Sequence, residues 1–313
     1  DSTGYASRWL NGVFVHSRQL SQIRALAFVK EIIPINSSFG VAEAATKSEE
    51  AAFLDDPEYM SDLATYQVNR LGYEALKEAG LDGSGVRIAV FDVGFAGMED
   101  HPGFEHLYQH GQIVRTWDFV KNKEAVYSGG YHGTSVMACI AGQMRGQALG
   151  LAPGADFLLA RTERTMFELK GEEENWIAAA EWADKHGASI INSSLAYTSQ
   201  RYFSFEMDGR SSLVSKGAEI AAEKGLLIIN AAGNEGDIFW RVVGSPGDVE
   251  SVLTVGGTDP YTDAVISFSS LGPTSDNRKK PNLSAPAMVV SASKKSYRVT
   301  NGTSFSAPLV SGF

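Results

Sequence analysis

The sequence predicts an α/β protein: a doubly wound, mostly parallel sheet with helices on both faces, preceded by a partial small α+β unit. Three observations carry this. Beyond residue 66, glycine-bounded runs rich in Val, Ile and Leu alternate with segments of helical character, the order that builds a parallel sheet. The strand-like runs, such as RIAVFDV at 87–93, are continuously apolar, as strands covered on both faces must be. The 313 residues, 43% hydrophobic with 32 glycines, suffice for one large turn-rich domain and a small companion.

Taken in order, residues 9–36 hold a strand-like LNGVFV, a helix-like QLSQIRALAF and a second strand-like VKEIIPI. Residues 1–36 are therefore read as half of a small α+β unit. The next stretch is Ser- and Ala-rich, then acidic around Glu49, Glu50, Asp55, Asp56 and Glu58, which reads as a linker over 37–65. The α/β domain occupies 66–313. A helix is expected over about 71–79, ended by Gly80, then strands at 87–93 and 157–160. The segment EEENWIAAAEWADKHG is a well-marked helix. Glu172, Glu173 and Glu174 stand at its positive end as solvated charge, Lys185 and His186 at its negative end, and Gly187 closes it. A strand at 189–195, a helix over 213–224 stopped by Gly225, and strands at 226–230 and 252–255 follow. The last element, NGTSFSAPLVSG, reads as a glycine turn opening a helix, with Pro308 placed as an early-helix residue. That helix stops at Phe313, and a longer chain is expected beyond it.

A net charge of −10 argues against nucleic acid or an anionic membrane as the main partner. No apolar run approaches the roughly 18 residues of a membrane span. The single Cys139 excludes an internal disulfide and any multi-cysteine metal site, and it reads as a core residue.

Open parallel sheets bind ligands at the carboxyl ends of their strands. Four polar residues fall at such ends or at the helix starts that follow. Asp92 ends RIAVFDV, His132 opens HGTSVMACIAG, Asn234 follows a strand in AAGNEG, and Ser304 opens the last helix. Serine, histidine and aspartate from three distant segments are the parts of an acyl-transfer site. The base takes the serine proton and the carboxylate orients the base. Asn234 offers an amide N–H where an oxyanion forms. Each residue has a blander reading. Ser304 alone is a helix cap, His132 is a surface helix start, Asp92 caps a turn and Asn234 is a turn asparagine, while His101 in EDHPGF is a competing base without a helix start behind it.

The motifs FDVG, HGTS, AAGNEG and NGTSFSAP, in this order, resemble those of the subtilisin-like serine proteases, the subtilases, whose chain order is Asp, His, Ser. The stretches HPGF, ALGLAPGADFLLART, SIINSSLAY, VLTVGGTD and SFSSLGPTSDNRKKPN extend the resemblance over about 66–313. It implies a subtilisin-like fold and a serine endopeptidase with Asp92, His132 and Ser304 as the catalytic triad and Asn234 as the oxyanion donor. Ser194, Leu195 and Ala196, with Ala232 and Gly233, are implied to line the substrate cleft. The partner implied is a protein or peptide substrate. No cofactor is required for the chemistry. Structural Ca²⁺ occurs in the family, with Glu172–Glu174 and Asp208 as ambiguous carboxylates here and no spacing that defines a site.

LNGVFV, QLSQIRALAFV and KEIIPI resemble the second half of the subtilase inhibitory propeptide, which implies a zymogen, or a clipped zymogen, whose own N-terminal unit is an inhibitory partner. TERTMFELKGEEENW and FEMDGR resemble a branch of secreted bacterial subtilases, which implies an extracellular or cell-surface location. Several positions depart from the family: Val93 after Asp92, Ser135 where a second histidine is usual, Asn282 for Asp, and Ala196–Tyr197 in place of glycines. The tyrosine is expected to reshape the specificity pocket. The alternative reading is a catalytically silent peptide-binding pseudoprotease on the same fold.

Activating cleavage is expected between Asn36 and Tyr66, and N-terminal sequencing after incubation locates it. Equal processing of wild type and Ser304→Ala, with no other protease present, excludes self-cleavage.

Overall fold

The computed structural model describes residues 2–34, 56–164, 171–199 and 201–313. Its elements are, in chain order, β1 (Ser2–Ser7), β2 (Gly12–His16), α1 (Leu20–Arg24), α2 (Pro57–Asn69), α3 (Tyr73–Glu78), β3 (Arg87–Asp92), α4 (Glu105–Gln109) and β4 (Ile113–Asp118). Then come α5 (His132–Ala141), β5 (Gln143–Met144), β6 (Gln147–Ala148), β7 (Asp156–Arg161), α6 (Glu172–Lys185), β8 (Ile190–Ser193) and α7 (Leu213–Glu223). The chain closes with β9 (Leu227–Ala231), β10 (Leu253–Thr258), β11 (Leu283–Pro286), β12 (Met288–Ala292), β13 (Tyr297–Asn301) and α8 (Thr303–Gly312).

The main sheet has seven strands in the order β11-β10-β9-β8-β3-β7-β4. Every neighbouring pair is parallel. Apolar side chains on both faces of β3 and its neighbours force helices onto both faces. On one face α5, α8 and α2 bury Leu63, Val136, Met137, Ile140, Phe305 and Leu309 in one cluster. On the other, α6 and α7 bury Trp176, Ile177, Ala180, Val214 and Ala218 against Phe91, Leu158 and Ile191. The sheet is thus doubly wound, as the alternating pattern predicts. Strand order reverses around β3, with β7 on one side and β8 on the other. A crevice opens at the carboxyl end of the strand where such a reversal occurs. Asp92 is the last residue of β3.

Four expectations need correction here. Residues 57–65, read as linker, form most of α2. Asp56 caps it by accepting from Glu58 N at 2.9 Å, and Pro57 fills its first position. Leu63, Ala64 and Val68 face the core. Gln67, fully buried, donates to Leu149 O at 2.7 Å and accepts from Val290 N at 2.7 Å, pinning α2 to β12. The acidic composition of this stretch masked an Asp-Pro helix start followed by apolar residues at helical spacing. The rest of the expected linker, 37–55, lies outside the described residues.

The expected strand VKEIIPI has no regular structure over 29–34, and its last residue lies outside the described residues. The expected helix QLSQIRALAF shrinks to α1, which buries none of its residues. Packing rather than propensity supplies most helix stability in proteins, and α1 has none to draw on. Pro308 is not in the first turn but inside α8.

The N-terminal unit rests on α6. Glu181 accepts from Ser7 Oγ at 2.6 Å and from the backbone N–H groups of Arg8 and Trp9 at 3.2 and 3.3 Å. Trp9, Leu10 and Phe14 pack against the α6–α7 cluster, and Lys224 lies 5.6 Å from the Trp9 ring centre.

Because Leu63 is fully buried, Leu63→Ala is expected to destabilise the domain by about 2–5 kcal/mol in urea unfolding. A helix that merely tethers two units would show almost no change.

Candidate active site

Asp92 is fully buried, so its charge needs partners. Val93 N donates to Oδ1 at 2.8 Å. His132 Nδ1 lies 2.9 Å from Oδ2 and 3.0 Å from Oδ1. The backbone around the carboxylate is fixed as well. Thr162 N donates to Asp92 O at 3.0 Å, and Arg161 Nε donates to Val93 O at 2.9 Å. Arg161 is itself held by Asp118 at 3.0 Å.

His132 is the first residue of α5, and its side chain keeps 15% exposure. Burial works against protonation of its ring, and so does the charge of Arg298. The Asp92 carboxylate overrides both, and the histidine pKa is raised above 6.5. An Nδ1–H donated to Asp92 leaves Nε2 as the nitrogen for chemistry. The ring lies 5.4 Å from that of Phe305, the residue after Ser304.

Ser304 is the second residue of α8 and is 6% exposed. Gly302 precedes the helix at φ 140°, ψ 150°, a backbone region that residues with a Cβ resist. Pro308 has no N–H, so it cannot bond the carbonyl four residues back, which is that of Ser304. Ser194 Oγ donates to this carbonyl instead, at 2.8 Å. Ser304 Oγ in turn faces Ser194 O at 3.4 Å. Asn234 Oδ1 accepts from Thr303 N at 2.9 Å and from Thr303 Oγ1 at 3.0 Å. With the oxygen so engaged, the amide N–H₂ is the end that remains for another acceptor. A Cβ at Gly302 would stand 3.6 Å from this Nδ2, so the amide adjoins the turn into Ser304.

A family model described as "Subtilase family" matches residues 83–313. The chain belongs to the subtilase family. Thermitase from Thermoactinomyces vulgaris is 29% identical over 74% of this chain and 74% of its own length. Serine protease AprX from Bacillus subtilis (strain 168) is 29% identical over 74% of this chain, which spans only 56% of that relative's length. A solved cold-adapted subtilisin-like serine proteinase superposes with TM-score 0.57 at 27% identity, covering 74% of each chain. The enzyme class that goes with the family is serine endopeptidase.

Among the residues expected to line a subtilase cleft, Ser194 faces Ser304 as described, and Leu195 and Ala196 are half-buried. Leu195 O accepts from Asn230 Nδ2 at 3.0 Å. Ala232 and Gly233 are buried, and their backbones tie the Asn234 turn to its surroundings. Ala232 N donates to Val255 O at 2.9 Å, and Gly233 N to Thr303 Oγ1 at 3.2 Å.

The departures from the subtilase pattern acquire physical roles. Ser135 donates to Ala292 O at 2.6 Å, clamping α5 to β12. Asn282 accepts from the buried Lys280 ammonium at 2.9 Å. Tyr197 does not line an open pocket: it is 2% exposed and donates its hydroxyl to Glu163. The competing base His101 has both ring nitrogens engaged, Nδ1 accepting from Gly103 N and Nε2 at 3.1 Å from Ser296 O. Cys139 is buried, and burial pushes its thiol pKa far up, so it is inert core.

The acidic start of α6 is not solvated, contrary to expectation. Glu172 and Glu173 are each 2% exposed and hold Arg201 at 2.8 and 3.2 Å. Glu173 also accepts from Tyr202 Oη at 2.8 Å and from Val214 N at 2.9 Å. Three consecutive glutamates at a helix start signal charge but not its burial, and the arginine that neutralises them lies 28 residues downstream of Glu173. Asp208 binds its own turn, accepting from Arg210 N at 2.8 Å and from Ser211 N at 2.7 Å. Among the described residues no group of three or more His, Cys, Asp and Glu is arranged to hold a metal ion.

The His132 ring is expected to titrate above 6.5 by NMR, and Asp92→Asn to bring the midpoint down, since burial and Arg298 then act unopposed. A raised folded-state value means that the pair stabilises the fold fully below the unfolded-state pKa, and that this contribution fades as pH rises through the folded-state value.

Proposed function

We propose that this chain is a secreted serine endopeptidase held in precursor form, and that Asp92, His132, Ser304 and Asn234 perform the chemistry. The carrying observation is the buried Asp92–His132 pair at the carboxyl end of β3, with the imidazole against Phe305 of α8, the helix whose second residue is Ser304. His132 Nε2 takes the Ser304 hydroxyl proton as the oxygen attacks the scissile carbonyl, then passes it to the leaving amine. Asp92 keeps Nδ1 protonated and supports the imidazolium. The developing oxyanion is met by the Asn234 amide and the Ser304 backbone N–H, near the positive end of α8. Water then repeats the sequence on the acyl-enzyme. No step requires a cofactor.

The precursor reading rests on the N-terminal unit. Glu181 on α6 supplies acceptors to a turn of that unit, and three aromatic or aliphatic side chains seat it on the α6–α7 face. This docking onto α6 and α7 supports the reading as an inhibitory propeptide. The extracellular assignment follows the relatives, among them Subtilisin BL of Lederbergia lenta, 27% identical over 78% of this chain and 80% of its own length. No helix among the described residues is long and apolar enough to cross a membrane.

On a peptide substrate, Ser304→Ala is expected to lose about 10⁶ in kcat. Asn234→Leu is expected to lose about 10²–10³ with KM nearly unchanged. Both figures come from subtilisin itself and are carried over by family membership. Failure of a fluorophosphonate to label Ser304 in the processed protein would remove the catalytic reading.

A further inference from the structure

Asn192 is an amide in an apolar setting. It lies on β8 inside the sheet, beside Val90 of β3 and Ile229 of β9. Side chains alternate along a strand, and Ile191 joins the α6–α7 cluster, so Asn192 faces α8. A buried amide is tolerated where both its oxygen and its nitrogen find partners. Here Oδ1 accepts from Ser311 Oγ of α8 at 2.8 Å, and Nδ2 donates to Ser194 Oγ at 3.2 Å. Ser194 Oγ in turn donates to Ser304 O at 2.8 Å. All four residues are 6% exposed or less.

The direction of this relay is fixed at its Ser304 end, where Pro308 leaves the carbonyl without its helical N–H. A carbonyl only accepts, so the single Ser194 hydroxyl proton is committed to it. Toward Asn192 the same oxygen must then accept, which turns the amide N–H₂ to Ser194 and the amide oxygen to Ser311. The segment 194–197 is secured by other means. Leu195 O accepts from Asn230 Nδ2 at 3.0 Å, and Tyr197 and Ser245 exchange backbone bonds at 2.8 and 3.1 Å. What depends on Asn192 is therefore the Ser194 hydroxyl and, through it, the Ser304 backbone.

We propose that Asn192 is a positioning residue for the nucleophile: by donating to Ser194 Oγ it aims that hydroxyl at the Ser304 carbonyl, and so fixes Ser304 and its backbone N–H for attack. This rests on the peptidase reading above, which gives Ser304 the attack and its N–H a share of the oxyanion. Ser311 supports the arrangement by holding the amide in its orientation. Asn192 acts through Ser194 and not on the substrate, so its effect belongs in turnover rather than in binding.

The test removes the amide with Asn192→Leu. Ser194 Oγ keeps Ser304 O as an acceptor and Ser311 Oγ keeps Ala307 O, 3.1 Å away, so neither hydroxyl proton is stranded. In the processed full chain, kcat on one peptide is expected to fall about tenfold with KM within about twofold of wild type, the cost of one misdirected hydrogen bond. Fluorophosphonate labelling of Ser304 should slow by the same factor, because it reads the nucleophile without the peptide. In a Ser194→Ala background the same substitution should cost less than about twofold, since the hydroxyl that Asn192 aims is gone. Losses that multiply across the two substitutions mean that Asn192 supports the sheet and not the serine, and overturn the inference. An unchanged kcat, or a change confined to KM, overturns it as well. Should Asn192→Leu not fold, Ser311→Ala carries the comparison. A kcat loss of about two- to threefold that vanishes in the Ser194→Ala background supports the inference, and any other result overturns it. A wild-type protein that neither cleaves nor labels overturns the peptidase reading and this inference with it.

Discussion

A single buried carboxylate sets the terms for the site. Asp92 sits at full burial at the end of the central strand, where an unpaired charge would cost several kcal/mol. The fold answers with one backbone N–H and one imidazole edge. Once β3 ends at that point in the sheet, the imidazole must come from the first turn of a helix packed on the same face. That helix is α5, and its Ser135 and Ala138–Ala141 stretch lock it to β12 and to the α8 core. The placement of Ser304 then follows from how α8 leans on α5. The serine position is a consequence of core packing at least as much as of its own glycine turn.

Much of this was legible in the residues. Continuous apolar runs separated by helical segments predict the parallel sheet, and the polar residues at strand ends predict where a site forms. The four proposed catalytic groups were named from motifs whose meaning is local: a strand end, a helix start, a turn. What escaped the sequence was long-range partnership. Nothing near Glu172–Glu174 announces Arg201, so buried charge reads as solvated charge. The Asp56–Pro57 start of α2 was visible, but its setting in a run of acidic and small residues outweighed it. Tyr197 stands where the family has a glycine, which suggests a reshaped pocket until Glu163, just past the end of β7, is seen to accept its hydroxyl. Asn192 belongs to the same class, since an asparagine inside a buried strand means little until Ser194 and Ser311 are seen to partner it.

The two faces of the sheet divide the labour. The α5–α8 face holds the proposed catalytic groups. The α6–α7 face receives the N-terminal unit through Glu181 and an apolar patch centred on Trp9. Buried ion pairs on that second face brace the loop that starts at Tyr197, through Arg201 and the two glutamates. The docking surface and the loop beside Leu195 and Ala196 therefore share one helix, α6, as their support.

The bond from Ser194 to the carbonyl of Ser304 carries a further implication. Pro308 strips that carbonyl of its helical partner, and the vacancy is filled by a residue of the segment expected to hold the substrate. The backbone of the proposed nucleophile is thus anchored to the segment expected to hold the substrate rather than to its own helix. On the proposed reading, variation along 194–197 is transmitted to Ser304 through the Ser194 hydroxyl. In a lineage built this way, selectivity and turnover do not drift independently. New preferences are reached more cheaply from side chains outside that anchor than from the segment itself.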